Sequence, residues 1–574
     1  MSKTPTEADR RSPTILVHKL IKPRSRPLTG WPHTSVYPAG KHYPLRTYGC
    51  SPMLRVKESR RPEIIMDNPS SPVSRLPLEL LVKVFGYLTI HSSPVILLKI
   101  CHRWADIASS VSSLWTRIDF STPPAPLLQR CASRPIEVIL RSSSVVPTSN
   151  RLDAAKEVLL LYNDRIRKVV LDLPDRHLHG FEAELSGVFP ILADVSISVS
   201  DDDDYLFFPD IPEWRPAAIP PSPIRRLKLM HVKALWVPGR FQNLVEFFLH
   251  NQLYPDFDLT MEVFLGILES SPQLAILSVA AAGPRLPPDS INLPPATRVV
   301  HLHNLRHLYL EQGDPCDIGW ILVHLKVPIS TNVKIFVNSG RGESAVPLDL
   351  VFDLALPNHH GFPHLINLHR CTYTMGIRPS CVITAPNFAF GITWDIFPNT
   401  HFDDFMMPFL RRAMTVGVIE DLTVIHAQPE QYCSTSTLQW NQLFSTLHSL
   451  RKLRVEESCN SPDLMLWPLF ESLSSFVLRD LRLSLLVFGD EPQGDVEDGH
   501  QKELTERVVK WCAERNRRGC RLNSLVIEDP MHFPLGLTSL LVPYVDNLEV
   551  TEEPFGGKGV LDPGFGSRHV FDHL

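Results

Sequence analysis

Three histidines at positions 301, 303 and 307 are the first residues of this chain whose type and spacing could do chemistry. Imidazoles two apart on a strand share a face and can hold a divalent metal. No carboxylate or thiol stands at a matching spacing. If Leu308 and Leu310 point inward, His307 and Tyr309 point outward, which suits an exposed surface rather than a ligand cage. Gly340-Arg341-Gly342-Glu343-Ser344 lacks both the glycines that flank a nucleophile-elbow serine and the Lys-Ser pair of a phosphate loop. Gly556-Gly557-Lys558 lacks the upstream glycine and a strand–helix setting. His359 and His360 face apart if extended, and Asp403-Asp404 suits a helix start, where carboxylates meet the macrodipole. The ten cysteines include no C-x-x-C, and the close pairs Cys371/Cys381 and Cys512/Cys520 have no zinc-ligand company. The expectation is a non-enzyme with no catalytic residue, no metal and no cofactor.

The elements that would have to position any such group are those of a large globular chain. The 574 residues are 44% apolar and 21% charged, enough to bury a sizeable core. The 52 prolines against 27 glycines imply many element stops. Scattered thiols, no leader pattern at the N-terminus and no apolar run of about 20 residues lead to an expected intracellular setting, cytoplasmic, nuclear or both, with no membrane contact. The net charge of −5 is unevenly spread: residues 1–62 hold 13 Lys and Arg against 3 Asp and Glu. Residues 1–72, rich in Pro, Ser and basic side chains, show no period and are expected to be a disordered basic arm. A basic arm keeps a nucleic-acid-associated role as the lesser alternative.

From Leu76 the pattern becomes helical. Pro77 suits a first helical turn, and Leu80, Leu81, Val84, Phe85 and Leu88 then recur as one apolar stripe. Ser92-Ser93-Pro94 repeats the start signal, and Leu97, Leu98, Cys101 and Trp104 follow on one face of an expected second helix. Leu114 and Trp115 return apolar bulk. Three short helices hold little core of their own, so one apolar face is expected to be covered by something else.

This segment resembles an F-box. Leu76-Pro77-x-Glu79-Leu80-Leu81, then Val84-Phe85-x-x-Leu88, then Cys101-x-Arg103-Trp104, then Leu114-Trp115 fall on the family's pattern, most like its large fungal branches. Ser112 departs from it, standing where a proline often precedes the Leu-Trp. The resemblance implies docking on the Skp-type adaptor subunit of an SCF-type cullin-RING ubiquitin ligase, and through it on the cullin. The adaptor-binding set it implies is Leu76, Pro77, Leu80, Leu81, Val84, Phe85, Leu88, Leu98, Cys101, Trp104, Leu114 and Trp115.

After Pro135 a unit recurs, apolar-x-x-apolar-x-apolar, as in Ile166/Val169/Leu171, Ile224/Leu227/Leu229, Leu274/Leu277/Val279, Leu450/Leu453/Val455 and Val545/Leu548/Val550. Its last two members face one way on a strand. Steps in the twenties and low thirties match leucine-rich repeats. Helical stripes such as Met261/Phe264/Leu265/Leu268 lie between units, implying a parallel sheet backed by helices. Eleven clear strands exceed the eight of a closed (β/α)₈ barrel, the weaker alternative. The repeat pattern's turn asparagine is missing, with Val232, Gln252, Ala282, Gly313, Ala427, Ser458 and Pro530 in its place, so no side-chain ladder is expected.

The fold class read from sequence is therefore α/β, a short three-helix F-box followed by an irregular leucine-rich-repeat solenoid. The divisions are 1–72 arm, 73–122 F-box, 123–551 solenoid and 552–574 flexible tail. Asp201–Asp204 and Gly489–His500 read as acidic loops, and 338–400 as a longer excursion. The expected function is to hold a protein substrate for ubiquitin transfer, with a non-degradative scaffold as the alternative. Unit spacing places Lys228, Phe248, His250, His307, Tyr309, Arg454 and Arg482 on the exposed strand face as candidate substrate contacts.

Overall fold

Each recurring unit becomes a strand, because paired apolar residues two apart bury on one face of a sheet while the residue between them points away. The computed structural model describes residues 75–91, 94–120, 123–142, 148–199, 213–215, 223–252, 259–286, 296–338, 353–356, 368–375, 380–393, 418–426, 437–457, 469–473, 478–485, 497–528 and 539–551. Every described residue belongs to one compact unit within Ile64–Leu574. The basic arm, the tail, Asp201–Asp204, the Gly340–Ser344 motif, His359-His360, Asp403-Asp404 and Gly556–Lys558 lie outside the described residues.

Among the described residues, 17 strands form one sheet. They are β1 (Arg117–Ile118), β2 (Ile136–Arg141), β3 (Ile166–Leu173), β4 (Asp194–Val199), β5 (Arg226–Met230), β6 (Glu246–His250), β7 (Ile276–Ala280), β8 (His307–Gln312) and β9 (Asn332–Asn338). Then come β10 (Arg370–Met375), β11 (Ser380–Ala385), β12 (Phe388–Thr393), β13 (Asp421–His426), β14 (Lys452–Glu457), β15 (Asp480–Leu485), β16 (Leu522–Glu528) and β17 (Val545–Thr551). Strands β1 to β9 pair consecutively and in parallel. β9 next pairs with β12, and an antiparallel run β12–β11–β10 leads back to a parallel run from β10 through β13 to β17. β1 and β17 each pair on one side only among the described residues, so this sheet is an open ladder and not an eight-stranded closed barrel.

The units lie in register along this ladder. Val169, Val195, Leu227, Phe247, Leu277 and Leu308 form one row, and Leu171, Ile197, Leu229, Leu249, Val279 and Leu310 the next. All twelve are buried, as are the leading members Ile224, Leu244, Leu274 and Leu305 that turn inward before each strand. Helices back this face, with Phe264, Leu265 and Leu268 of Met261–Glu269, Trp440 and Leu443 of Thr437–Thr446, and Ile318 and Ile321 of Pro315–Val323 in the same core.

Two sequence expectations change. Residues 338–400 contain the antiparallel β10–β11–β12, and Gly489–His500 is not wholly a loop, since a 21-residue helix starts at Glu497 and runs to Arg517. That helix escaped notice because Arg515 takes a core position. It is 1% exposed, donates to the carbonyls of Leu473 (2.8 Å) and Leu478 (2.9 Å), and lies over the Trp511 ring.

Candidate functional site

The helical segment before the ladder folds as α1 (Leu78–His91), a 3-10 turn Pro94–Lys99, α2 (His102–Ser110) and a second 3-10 turn Ser112–Trp115. The expected second helix is thus split, because Cys101 is extended (φ −158°) and acts as the N-cap residue of α2. Pro77 stands just before α1, its carbonyl accepting from the N–H groups of Leu80 and Leu81.

The apolar stripe of α1 divides by burial. Leu81 and Phe85 are 0% exposed, whereas Leu80 (46%), Val84 (39%) and Leu88 (43%) face outward beside Leu78 and Tyr87. Pro77 is exposed, while Leu76, Leu98, Cys101 and Trp104 are half-buried. Leu114 and Trp115 are buried. Phe85 packs on Trp104 with ring centroids 4.6 Å apart, and Arg103 donates to the Leu76 carbonyl at 3.0 Å, tying the start of α1 to α2. The Trp115 indole donates to Ala108 O at 2.7 Å and lies under the Arg130 guanidinium at 4.5 Å. Leu81, Phe85, Leu97, Leu114 and Trp115 are continuous with the core that holds Ile118, Ile136 and Val138, so the segment closes the β1 end of the ladder. Ser112, the departure from the proline pattern, accepts from Arg134 Nε at 2.9 Å.

The second candidate surface is the sheet face away from that core. Lys228, Phe248 and Tyr309 occupy its middle row, with His307 one row earlier and His250 one row later, and the register carries the row of His250 through β9 to β13 on to Arg454 and Arg482. The first group sits on β5, β6 and β8, while Arg454 and Arg482 are neighbours in register on β14 and β15. Six strand steps separate β8 from β14, about 29 Å at the usual strand spacing. Lys228, Phe248, His307, Arg454 and Arg482 are half-buried. His250 and Tyr309 depart from the expected exposure, at 2% and 5%.

Those two belong to a buried network on the outer face. His250 Nε2 and Ser278 Oγ are 2.8 Å apart, the His250 and Tyr309 rings stack at 6.2 Å, and the Tyr309 hydroxyl donates to Glu311 at 2.5 Å. Tyr309 also packs with Ala280, Phe336 and Val382 as a second small core. Burial, with Lys228 and His231 adding to it, pushes the His250 imidazole down to about 3, and burial raises the Glu311 carboxyl and the Tyr309 hydroxyl. A neutral imidazole beside a serine suits a packed polar core.

A turn device went unseen in the sequence. His231, Asn251 and Ala281 follow the strand ends β5, β6 and β7 at the same offset, and all three have positive φ (53°, 54° and 46°). Beside them the buried Gln252 amide donates to Val232 O at 2.8 Å, and Gln312 donates to Ala282 O. Two glutamines thus each bond a neighbouring turn, at separate places and without forming a continuous side-chain ladder. Among the described residues no group of three or more His, Cys, Asp or Glu is placed to hold a metal, and His301 and His303 lie at the surface with ring centroids 5.6 Å apart and planes tilted by 40°.

Residues 73–121 match the family model described as F-box-like. The chain carries an F-box-like domain. This supports an F-box protein, and an F-box suggests, in general, a substrate-recognition role in an SCF ligase through a Skp-type adaptor. F-box proteins are typically non-catalytic adaptors. No curated protein matches the chain. No helix among the described residues is long and apolar enough to cross a membrane.

Proposed function

We propose that this chain is the substrate-recognition subunit of an SCF-type ubiquitin ligase, with the F-box docked on the adaptor and the ladder holding a protein substrate. The observation that carries the reading is the exposed half of the α1 stripe within the matched segment. Leu80, Val84 and Leu88, flanked by Pro77 and Leu78, are large apolar groups left unburied where a docking face is expected, with Tyr87 and Ile96 exposed in the same segment. Leu81, Phe85, Leu114 and Trp115 shape that face from beneath, and Leu76, Leu98, Cys101 and Trp104 border it. Finishing the burial of several half-exposed side chains contributes about 1 kcal/mol each, a useful share of a heterodimer's stability.

The ladder reads as a divergent leucine-rich-repeat solenoid because its units recur in register on parallel strands. Its substrate surface includes Arg454 and Arg482, with Lys228, Phe248 and His307 as further contacts, while His250 and Tyr309 support the surface from within. The divisions at 72, 122 and 551 belong to this reading. Affinity capture followed by ubiquitin transfer tests it. Arg454→Ala with Arg482→Ala is expected to lose captured substrate while retaining adaptor; unchanged capture removes these arginines from the surface, and failure of the wild-type chain to retain the adaptor overturns the proposal.

A further inference from the structure

The two ends of the ladder are sealed differently. At the first end Ile118 of β1 is 0% exposed, with Leu114 and Trp115 of the F-box in the same core. At the other end β17 pairs only with β16 among the described residues. Its inward residues Leu548 and Val550 are half-buried, although Leu525 and Ile527, their partners in register, are 0% exposed. Leu540 (48% exposed) and Val542 (56%) lie just before the same strand. On the opposite face Asn547 and Glu549 are exposed, and Asp546, paired with Arg521 Nε at 2.9 Å, stands at the strand's start.

Repeat ladders need their last inward face covered, and an open strand edge with unpaired backbone groups is a template for another strand. We propose that the edge of β17 left without a partner among the described residues binds an extended peptide strand in which apolar residues alternate with lysine or arginine. The apolar residues would continue the Leu548/Val550 rows. The basic ones would lie beside Glu549, as opposite charges across neighbouring strands do. The inference uses neither the F-box nor the arginine surface and stands apart from the proposed function.

The test is amide hydrogen exchange on the full chain with a heptapeptide alternating valine and lysine, matched to the 7 residues of β17. Exchange at 545–551 is expected to slow about tenfold or more when the peptide binds. The same peptide N-methylated at alternate residues is expected to lose that protection. Glu549→Lys is expected to weaken binding by about two- to fivefold, the range of one cross-strand charge pair. Equal binding by the N-methylated peptide, protection elsewhere, or no protection overturns the proposal. It is also overturned if 545–551 is protected without peptide and deletion of 552–574 abolishes this, which would make the chain's own tail the occupant, or if that protection rises with protein concentration, which would indicate a second copy.

Discussion

At the scale of single residues, His250 sets a pH dependence. Its folded-state value of about 3 lies below the ordinary 6.5, so the unfolded chain binds the proton more readily. Its contribution is fully present above pH 6.5 and is lost as pH falls toward 3, at about 1.4 kcal/mol per pH unit. Denaturant titrations between pH 7 and 5 are expected to show this loss, and His250→Gln to flatten it; an unchanged slope in the variant would assign the acid sensitivity elsewhere. Gln252→Ala leaves the Val232 carbonyl without its buried donor and is expected to cost about 1–3 kcal/mol. Neither role was legible in the sequence. Position 250 is marked outward by its alternation with Leu249, yet its burial depends on Ser278 and Tyr309, 28 and 59 positions further along the chain. Gln252 stands at the offset where the repeat pattern has asparagine, whereas Gln312 stands one residue before it, at the end of its strand.

At the scale of elements, the parallel strands were readable because each carries its own burial signal. The antiparallel insert was not. Ser380, Cys381, Val382 and Ile383 are all buried, so β11 shows no inward–outward alternation and does not fit the unit. Charge along the strands carries a further signal of register. Glu137, Lys168, Asp194, Arg226 and Glu246 alternate in sign along the leading ends of β2 to β6, and Arg370, Asp421, Lys452 and Asp480 do so on β10, β13, β14 and β15. Arg226–Asp194 and Arg370–Asp421 are ion pairs at 3.1 Å. Such exposed pairs contribute a few tenths of a kcal/mol each and help fix register. Within the insert Gly391 lies against Phe336, and a Cβ there would come within 2.5 Å of the ring. Gly391→Ala is expected to cost about 1–3 kcal/mol, with Phe336→Leu in the same chain restoring part of it, as read by thermal melting. A neutral Gly391→Ala would mean that β9 and β12 are not packed this closely.

At the scale of the whole molecule, the F-box and the first strands share one core, so the exposed face of α1 is fixed against the β1 end of the ladder rather than tethered to it. The sequence marked the F-box by the spacing of its Trp, Cys and Leu residues, but could not divide contact from core. Leu80 and Leu81 are the same residue type one position apart, and only the packing of Phe85, Trp104 and Trp115 decides which is hidden. Trp115→Ala removes a buried indole from the junction and is expected to cost about 3–5 kcal/mol. Hydrogen exchange should quicken in β2 and β3 as well as in α1, and a change confined to the F-box would separate the two. The central claim is tested most directly by the affinity of the full chain for a purified Skp-type adaptor, measured by calorimetry. The wild-type chain is expected to bind, and Leu80→Asp with Val84→Asp to weaken binding at least about a hundredfold, some 2.7 kcal/mol, with the melting temperature nearly unchanged because both side chains are already exposed. No binding by the wild-type chain, or equal binding by the variant, would contradict it.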